Sequence, residues 1–137
     1  MRENGRTVAI DLLMQVEAND AYANLLLPRL ITDAKLDSRE AGFAQELAFG
    51  TLRWSLFYDR IIEECAQRHT DEIDLVALIL LRFGAHQILQ MRVPSHAALS
   101  ETVEIAKEYV SRGGVGFING VLRRISEKSI ETWRKIV

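Results

Sequence analysis

The stretch DEIDLVALILLRFGAHQILQM, residues 71–91, is apolar on nearly every side of a helical projection in its middle. Such a helix is expected where other helices surround it. Val93 and Pro94 must interrupt it, because the residue before a proline is pushed out of helical dihedral angles. The stretch therefore predicts the central helix of an all-helical domain.

Amphipathic helices are predicted on both sides of the central helix, because apolar residues recur there at the i, i+3, i+4 spacing of one helical face. Four of them precede it and two follow it, and a short tail comes last. Their predicted starts, in chain order, lie near Arg6, Asn24, Asp37, Ser55, Ser95 and Phe117, with the tail capped by Ser129.

Several helix ends are predicted from capping residues. Asp37 and Glu40 form a predicted capping box, in which Asp37 accepts from a free amide and Glu40 reaches back. Ser55 is a candidate N-cap, and Gly113 and Gly114 are predicted to stop the sixth helix. Strand-like alternation is absent and the connections are short, so we predict an all-α fold of about seven antiparallel helices.

Length and composition indicate one folded domain over residues 1–137. Apolar residues make up 48% and charged residues 26% of the chain, as in ordinary globular proteins. The 17 Lys and Arg against 19 Asp and Glu give a net charge of -2, so there is no global positive field for a polyanion. Any nucleic-acid site must therefore be a local patch.

The expected compartment is the cytoplasm. The single cysteine, Cys65, excludes an internal disulfide and a zinc site of several cysteines, and it fits a reducing environment. The amino-terminal residues lack a long apolar core, and the most apolar run, Leu75 to Leu81, is much too short to span a bilayer. We therefore predict neither a signal peptide nor a membrane segment.

No catalytic or metal site is predicted. His69, His86 and His96 lack metal-ligand spacing, and we interpret them as a cap, a surface and a loop position. The many glutamates are accompanied by no nucleophile, no glycine-rich phosphate loop and no metal motif. An enzymatic role for these residues alone therefore has little support.

Three segments carry a family resemblance: ELAFGTLRW at Glu46 to Trp54, VPSHAALSETVEIAK at Val93 to Lys107, and GFINGVLRR at Gly116 to Arg124. Together they resemble the NusB superfamily over essentially the whole chain. The resemblance implies seven helices in two small bundles, with RNA binding as the shared activity.

Within that superfamily, the chain is most similar to the N-terminal domain of the RsmB (Sun or Fmu) rRNA cytosine-5-methyltransferases. His96, Ala97 and Ala98 before Ser100, and the closing Arg123-Arg124, depart from the pattern of the antitermination factor. The resemblance implies that the partners are small-subunit rRNA and a methyltransferase domain expected after Val137. S-adenosylmethionine is expected only in that domain, so this chain needs no cofactor and methylates nothing by itself.

Two other functions stay open. The first is a free-standing antitermination factor of the NusB type, which would act with a small ribosomal protein on a leader RNA. The second is a helical protein-interaction domain whose RNA contacts have decayed, which the acidic net charge permits. Dimerisation through an apolar face would indicate the second.

The candidate RNA-binding residues are basic or polar residues near the end of the chain, with one at its start. Arg112, Arg123, Arg124 and Lys128 are predicted to surround the glycine-rich turn before the seventh helix, where guanidinium groups suit bidentate phosphate binding. They also fit an ordinary solvated face, and Arg123 and Arg124 also fit a contact with the catalytic domain.

Two weaker candidates complete the RNA-binding set. Asn119 is a poor helix former in the middle of a helix, so it is predicted to bond a neighbouring backbone group or to reach RNA. Arg6, with Arg2, is a thin version of the arginine cluster that NusB relatives carry at the amino end.

Arg82 is predicted to be structural. It lies within the most apolar helix, where an unpaired guanidinium would be costly to desolvate. Its predicted partners are Glu101 or Glu104 on the following antiparallel helix.

Overall fold

The computed structural model describes residues 3–137, which form eight α-helices, one 3-10 helix and no strand. The all-α prediction is confirmed, and the predicted tail is a helix of its own. Arg2 lies outside the described residues. The α-helices are α1 (Gly5–Asn19), α2 (Ala23–Asp33), α3 (Ser38–Arg53), α4 (Ser55–Ala66), α5 (Leu75–Leu89), α6 (Ser95–Ala106), α7 (Arg112–Ile125) and α8 (Ile130–Ile136), and the 3-10 helix is Thr70–Glu72.

The helices form two compact units, Met1–Arg53 and Trp54–Val137. In the first unit, α1 packs against α2 and α3. Its core is built mainly from α1, whose Ile10, Leu12 and Leu13 are buried, with Leu47 from α3. The first unit is therefore a three-helix bundle.

The predicted capping box at α3 is only half right. Glu40 N donates to Asp37 Oδ1 at 2.8 Å, as predicted. The Glu40 carboxylate, however, accepts from Gly5 N at 2.7 Å instead of reaching back to Asp37. Gly5 N is a first-turn amide of α1 without a partner in its own helix, and it needs an acceptor. Glu40 thereby fixes the start of α1 against α3.

The second unit is built around α5, which packs against α4, α6 and α7. Leu80, Leu81 and Phe83 of α5 are fully buried, so the prediction of a central helix is confirmed. The helix begins later than predicted, because the Asp74 side chain caps it by accepting from Ala77 N at 3.2 Å. Residues 70–72 form the separate 3-10 helix.

The predicted break between α3 and α4 is present at Trp54. Ser55 is the first residue of α4 and not its N-cap, and that helix start has no side-chain cap. Between residues 3 and 137, no helix combines the length and the apolar character needed to cross a lipid bilayer.

Candidate nucleic-acid interface

Three of the predicted RNA-binding residues share one face of α7. Arg112, Asn119 and Arg123 are spaced by seven and four residues, which places them in one row along a helix. The first and last are eleven residues apart, so the row is about 16 Å long. The opposite face of α7 is buried and consists of Ile118, Val121, Leu122 and Ile125.

The predicted glycine-rich turn is instead the first part of α7. Ser111 caps the helix, with its Oγ accepting from Gly114 N at 3.2 Å. No glycine among residues 3–137 has a positive φ, so the glycines continue the helix rather than stop it. As a result, Arg112 lies at one end of α7 and Arg123 at the other, and the basic residues do not surround a common turn.

The side chains of this row are available to a partner. Arg112 and Arg123 are exposed and Asn119 is half-buried. Within the described part of the chain, the structure gives none of the three side chains a hydrogen bond or an ion pair. Gly116 and Gly120 lie between them, and a Cβ added at either would meet no atom within 4 Å. The row therefore combines free cations with an open stretch of helix backbone.

Arg124 and Lys128, in contrast, have partners within the chain. Arg124 Nη1 donates to the backbone oxygen of Cys65 at 2.6 Å, which satisfies a carbonyl in the last turn of α4. Lys128 Nζ lies 5.0 Å from the ring centre of Trp133, a cation–π arrangement. Both contacts support structural roles, and an RNA contact of either residue stays a prediction.

The thiol of Cys65, the residue whose carbonyl oxygen accepts from Arg124, is unreactive. Burial raises the pKa of Cys65 to about 11, and the nearby positive charges of Lys128 and Arg124 oppose that rise only in part. The thiolate is the nucleophilic form of cysteine, and almost none is present at neutral pH. Cys65 is therefore a packing residue.

Sequence reasoning missed a cation–aromatic pair beside the start of α7. The Arg68 guanidinium carbon lies 4.9 Å from the ring centre of Phe117. Both residues line a surface hollow with Tyr109 and Ser111. Arginine and aromatic planes are the groups on which unpaired RNA bases stack. Arg68 carries no motif, and only the fold brings it to Phe117.

Arg6 belongs to the first unit and forms a similar pair. Its guanidinium carbon lies 5.1 Å from the ring centre of Phe43. Arg39 lines the same surface hollow. Asp37 and Glu40 line that hollow too, so this surface of the first unit is aromatic and of mixed charge.

The prediction for Arg82 is wrong about its partner. Arg82 forms a bidentate pair with Asp59 of α4, with Nε–Oδ1 at 2.7 Å and Nη2–Oδ2 at 2.9 Å. Glu104 instead pairs with Lys107 at 3.0 Å. Gln87 of α5 bonds Thr102 of α6, and Arg82 is about 140° around the helix from Gln87. Arg82 therefore points away from α6 and towards α4.

The interpretation of His86 as a surface residue is also wrong. His86 is 1% exposed, and its Nδ1 lies 2.5 Å from the hydroxyl of Tyr58. Gln90 Nε2 donates to the same hydroxyl at 2.8 Å. Among the described residues, no group of three side chains has the arrangement of a metal site.

Comparison with known proteins identifies the family. The model of the NusB family matches residues 3–127. The chain belongs to the NusB family. The fold agrees with a solved structure of NusB from T. maritima, with a TM-score of 0.83, 21% identity, and coverage of 96% of this chain and 94% of that one.

Relatives of two kinds match the chain. A Mycobacterium tuberculosis protein named as a methyltransferase is 44% identical over 128 residues, which is 93% of this chain and 28% of the relative. The ribosomal RNA small subunit methyltransferase B of Pseudomonas putida is 34% identical, over 93% of this chain and 29% of its own length. The transcription antitermination protein NusB of Chloroflexus aggregans is 34% identical, over 88% of this chain and 83% of its own.

The lengths of the matches separate these two kinds of relative. This chain spans 28% and 29% of the two methyltransferases above, but 83% of the antitermination protein. The resemblance to the NusB superfamily and to its methyltransferase branch is therefore confirmed.

Proposed function

We propose that this chain is the RNA-recognition domain of a small-subunit rRNA cytosine-5-methyltransferase, and that it supplies binding but no chemistry. The observation that carries this proposal is the match to methyltransferases over more than nine-tenths of this chain and under a third of theirs. The Mycobacterium tuberculosis relative, at 44% identity, is more similar to this chain than the antitermination protein of Chloroflexus aggregans, at 34%.

The site geometry supports RNA as the ligand. Arg112 and Arg123 are free to form charge-assisted bonds to phosphates, and Asn119 between them can bond a base or a sugar. Arg68 and Phe117 add a plane on which an unpaired base can stack. Because the net charge of the chain is -2, attraction of RNA depends on these local groups.

The methyl donor belongs to the domain that follows in this proposal. S-adenosylmethionine would be held by residues after Val137, where the methyl transfer would also take place. The glycine-rich stretch of this chain continues the capped helix α7 and its cysteine is a buried thiol, so neither supports a donor site among residues 3–137. This domain would position rRNA for that chemistry.

A free-standing antitermination factor is the second candidate. Its support is the match to the Chloroflexus aggregans protein, which spans 83% of that protein's length. In that case a small ribosomal protein would raise the affinity for a leader RNA.

Fluorescence anisotropy tests the choice. We expect the chain to bind a small-subunit rRNA hairpin more tightly than a leader RNA, with or without the small ribosomal protein. A preference for leader RNA that needs that protein would instead support the antitermination factor. A reading frame that continues past Val137 into a cofactor-binding domain would support the methyltransferase.

A salt series tests the α7 row. The double variant Arg112→Gln/Arg123→Gln should lower the slope of log affinity against log salt by about 1.4, at about 0.7 per lost single-strand phosphate contact. Arg29→Gln/Lys35→Gln removes the same charge from exposed positions of the first unit and should leave the slope unchanged. Equal slopes for the wild type and the α7 variant would reject the row as an RNA contact.

A further inference from the structure

We propose that the outer face of α4 is the surface on which the polypeptide that follows Val137 packs. This inference rests on the proposed function, because it requires a following domain. The outer face is the row Leu56, Arg60 and Glu63, spaced i, i+4 and i+7, and the C-cap residue Gln67 follows the end of the helix. The other side of α4 is buried through Tyr58, Ile61, Ile62 and Cys65.

The last residues of the described chain lie in a groove along this face. Ile136 and Val137 line that groove together with Arg60 and Glu64 of α4 and its C-cap Gln67. Any residue added after Val137 therefore begins beside the carboxyl-terminal half of α4. Contact with this face needs no long connecting segment.

Apolar surface is left uncovered in the groove at Ile136 and, outside it, at Leu56, four residues before Arg60 on the same face of α4. Leu56, at the start of α4, is 80% exposed, and Ile136 is 47% exposed. The stretch from Leu56 to Gln67 is about 16 Å long, a distance that about five extended residues can span. A following segment of ordinary length can thus cover both apolar side chains.

The charges of the groove favour polypeptide over RNA as the occupant. Arg60, Arg68 and His69 line it together with the carboxylates of Glu63, Glu64 and Glu72. Three carboxylates beside two arginines give the groove mixed charge with no positive excess, and a polypeptide, which can supply both signs of charge, complements it better than phosphate does. Interfaces between domains of one chain are more polar than permanent subunit interfaces, as this groove is.

Thiol labelling tests the inference. Leu56→Cys is made in the 137-residue chain and in the whole polypeptide, and modification of position 56 by a maleimide is followed by peptide mass spectrometry. Leu25→Cys is the matched control, since Leu25 is 66% exposed and lies in the first unit. The buried Cys65 sets the background in both proteins.

We expect position 56 to label at least about tenfold more slowly in the whole polypeptide, as a docked segment with about 1.4 kcal/mol of opening free energy would require. Position 25 should label at the same rate in both proteins. Equal rates at position 56, or slowing at position 25 alone, would overturn the inference. RNA binding would be unaffected by either result, so the proposed function is tested separately. A reading frame that ended at Val137 would overturn both proposals.

Discussion

Replacing Gly116 and Gly120 with Ala should stabilise the second unit. Alanine is favoured over glycine in a helix interior by about 0.8–1.0 kcal/mol per residue. Both positions lie inside α7, and an added Cβ meets nothing within 4 Å at either, so no steric cost offsets the gain. The expected increase in the free energy of unfolding is about 1.5–2 kcal/mol for the double variant.

Urea unfolding followed by tryptophan fluorescence measures this change, because both tryptophans, Trp54 and Trp133, belong to the second unit. With an m value of about 2 kcal/mol per M, the midpoint should rise by about 1 M. Gly84→Ala is the control, since its Cβ would lie 2.8 Å from Leu122 Cδ2 in the core. Overpacking there costs about 1–3 kcal/mol, so this variant should lose stability.

If the urea midpoint of the Gly116→Ala/Gly120→Ala variant stays unchanged or falls, the claim that added methyl groups at these positions stabilise α7 without a steric cost is refuted. The same variant also probes function. If RNA approaches the α7 backbone between Arg112 and Arg123, two added methyl groups should weaken RNA binding while the fold becomes more stable. Such opposite changes are typical of sites kept for binding at a cost in stability.

Three further predictions concern the second unit. Asp59→Asn should lower its free energy of unfolding by about 2 kcal/mol, because Arg82, only 15% exposed, loses its charged partner; urea unfolding should show no comparable loss for Glu101→Gln, and a loss only there would contradict the observed pairing. Arg124→Gln should lower the free energy of unfolding by about 1 kcal/mol, because the hydrogen bond to the Cys65 carbonyl is lost. Arg123→Gln should not lower it, and equal losses for the two variants would contradict a structural role for the Arg124–Cys65 bond. Because burial raises the pKa of Cys65 to about 11, the unfolded chain ionises first as pH rises, and stability should fall between pH 8 and 11. That fall should be about 2 kcal/mol greater in wild type than in Cys65→Ala, and parallel curves would exclude the effect.

The helices could be predicted because they depend on neighbouring residues. The all-round apolar character of residues 75–89 requires surrounding helices, and Ser129 caps its helix, as predicted, through a residue three positions away. The prediction that Gly113 and Gly114 stop the sixth helix was wrong, because glycine is common both after the end of a helix and inside helices that another group approaches closely. Only the position of the Ser111 cap distinguishes these cases.

Tertiary partners could not be predicted in the same way. The order of helices in the sequence favours a partner for Arg82 on α6, which follows α5, yet its direction on α5 selects α4. Arg68 and Phe117 come from separate parts of the chain, and no spacing rule connects them. Composition predicts that any RNA surface is a local patch, but it does not indicate which arginines are free.

The adjacent residues Arg123 and Arg124 illustrate that limit and its resolution. Consecutive helix positions differ by about 100° in direction, so the pair cannot share one role. Arg124 turns towards the end of α4 and bonds the Cys65 carbonyl, whereas Arg123 continues the exposed row with Arg112 and Asn119. Replacing both at once would mix a loss of stability with a loss of RNA contact. The two single variants separate these effects, since only Arg123→Gln should change the salt dependence of RNA binding and only Arg124→Gln the unfolding midpoint.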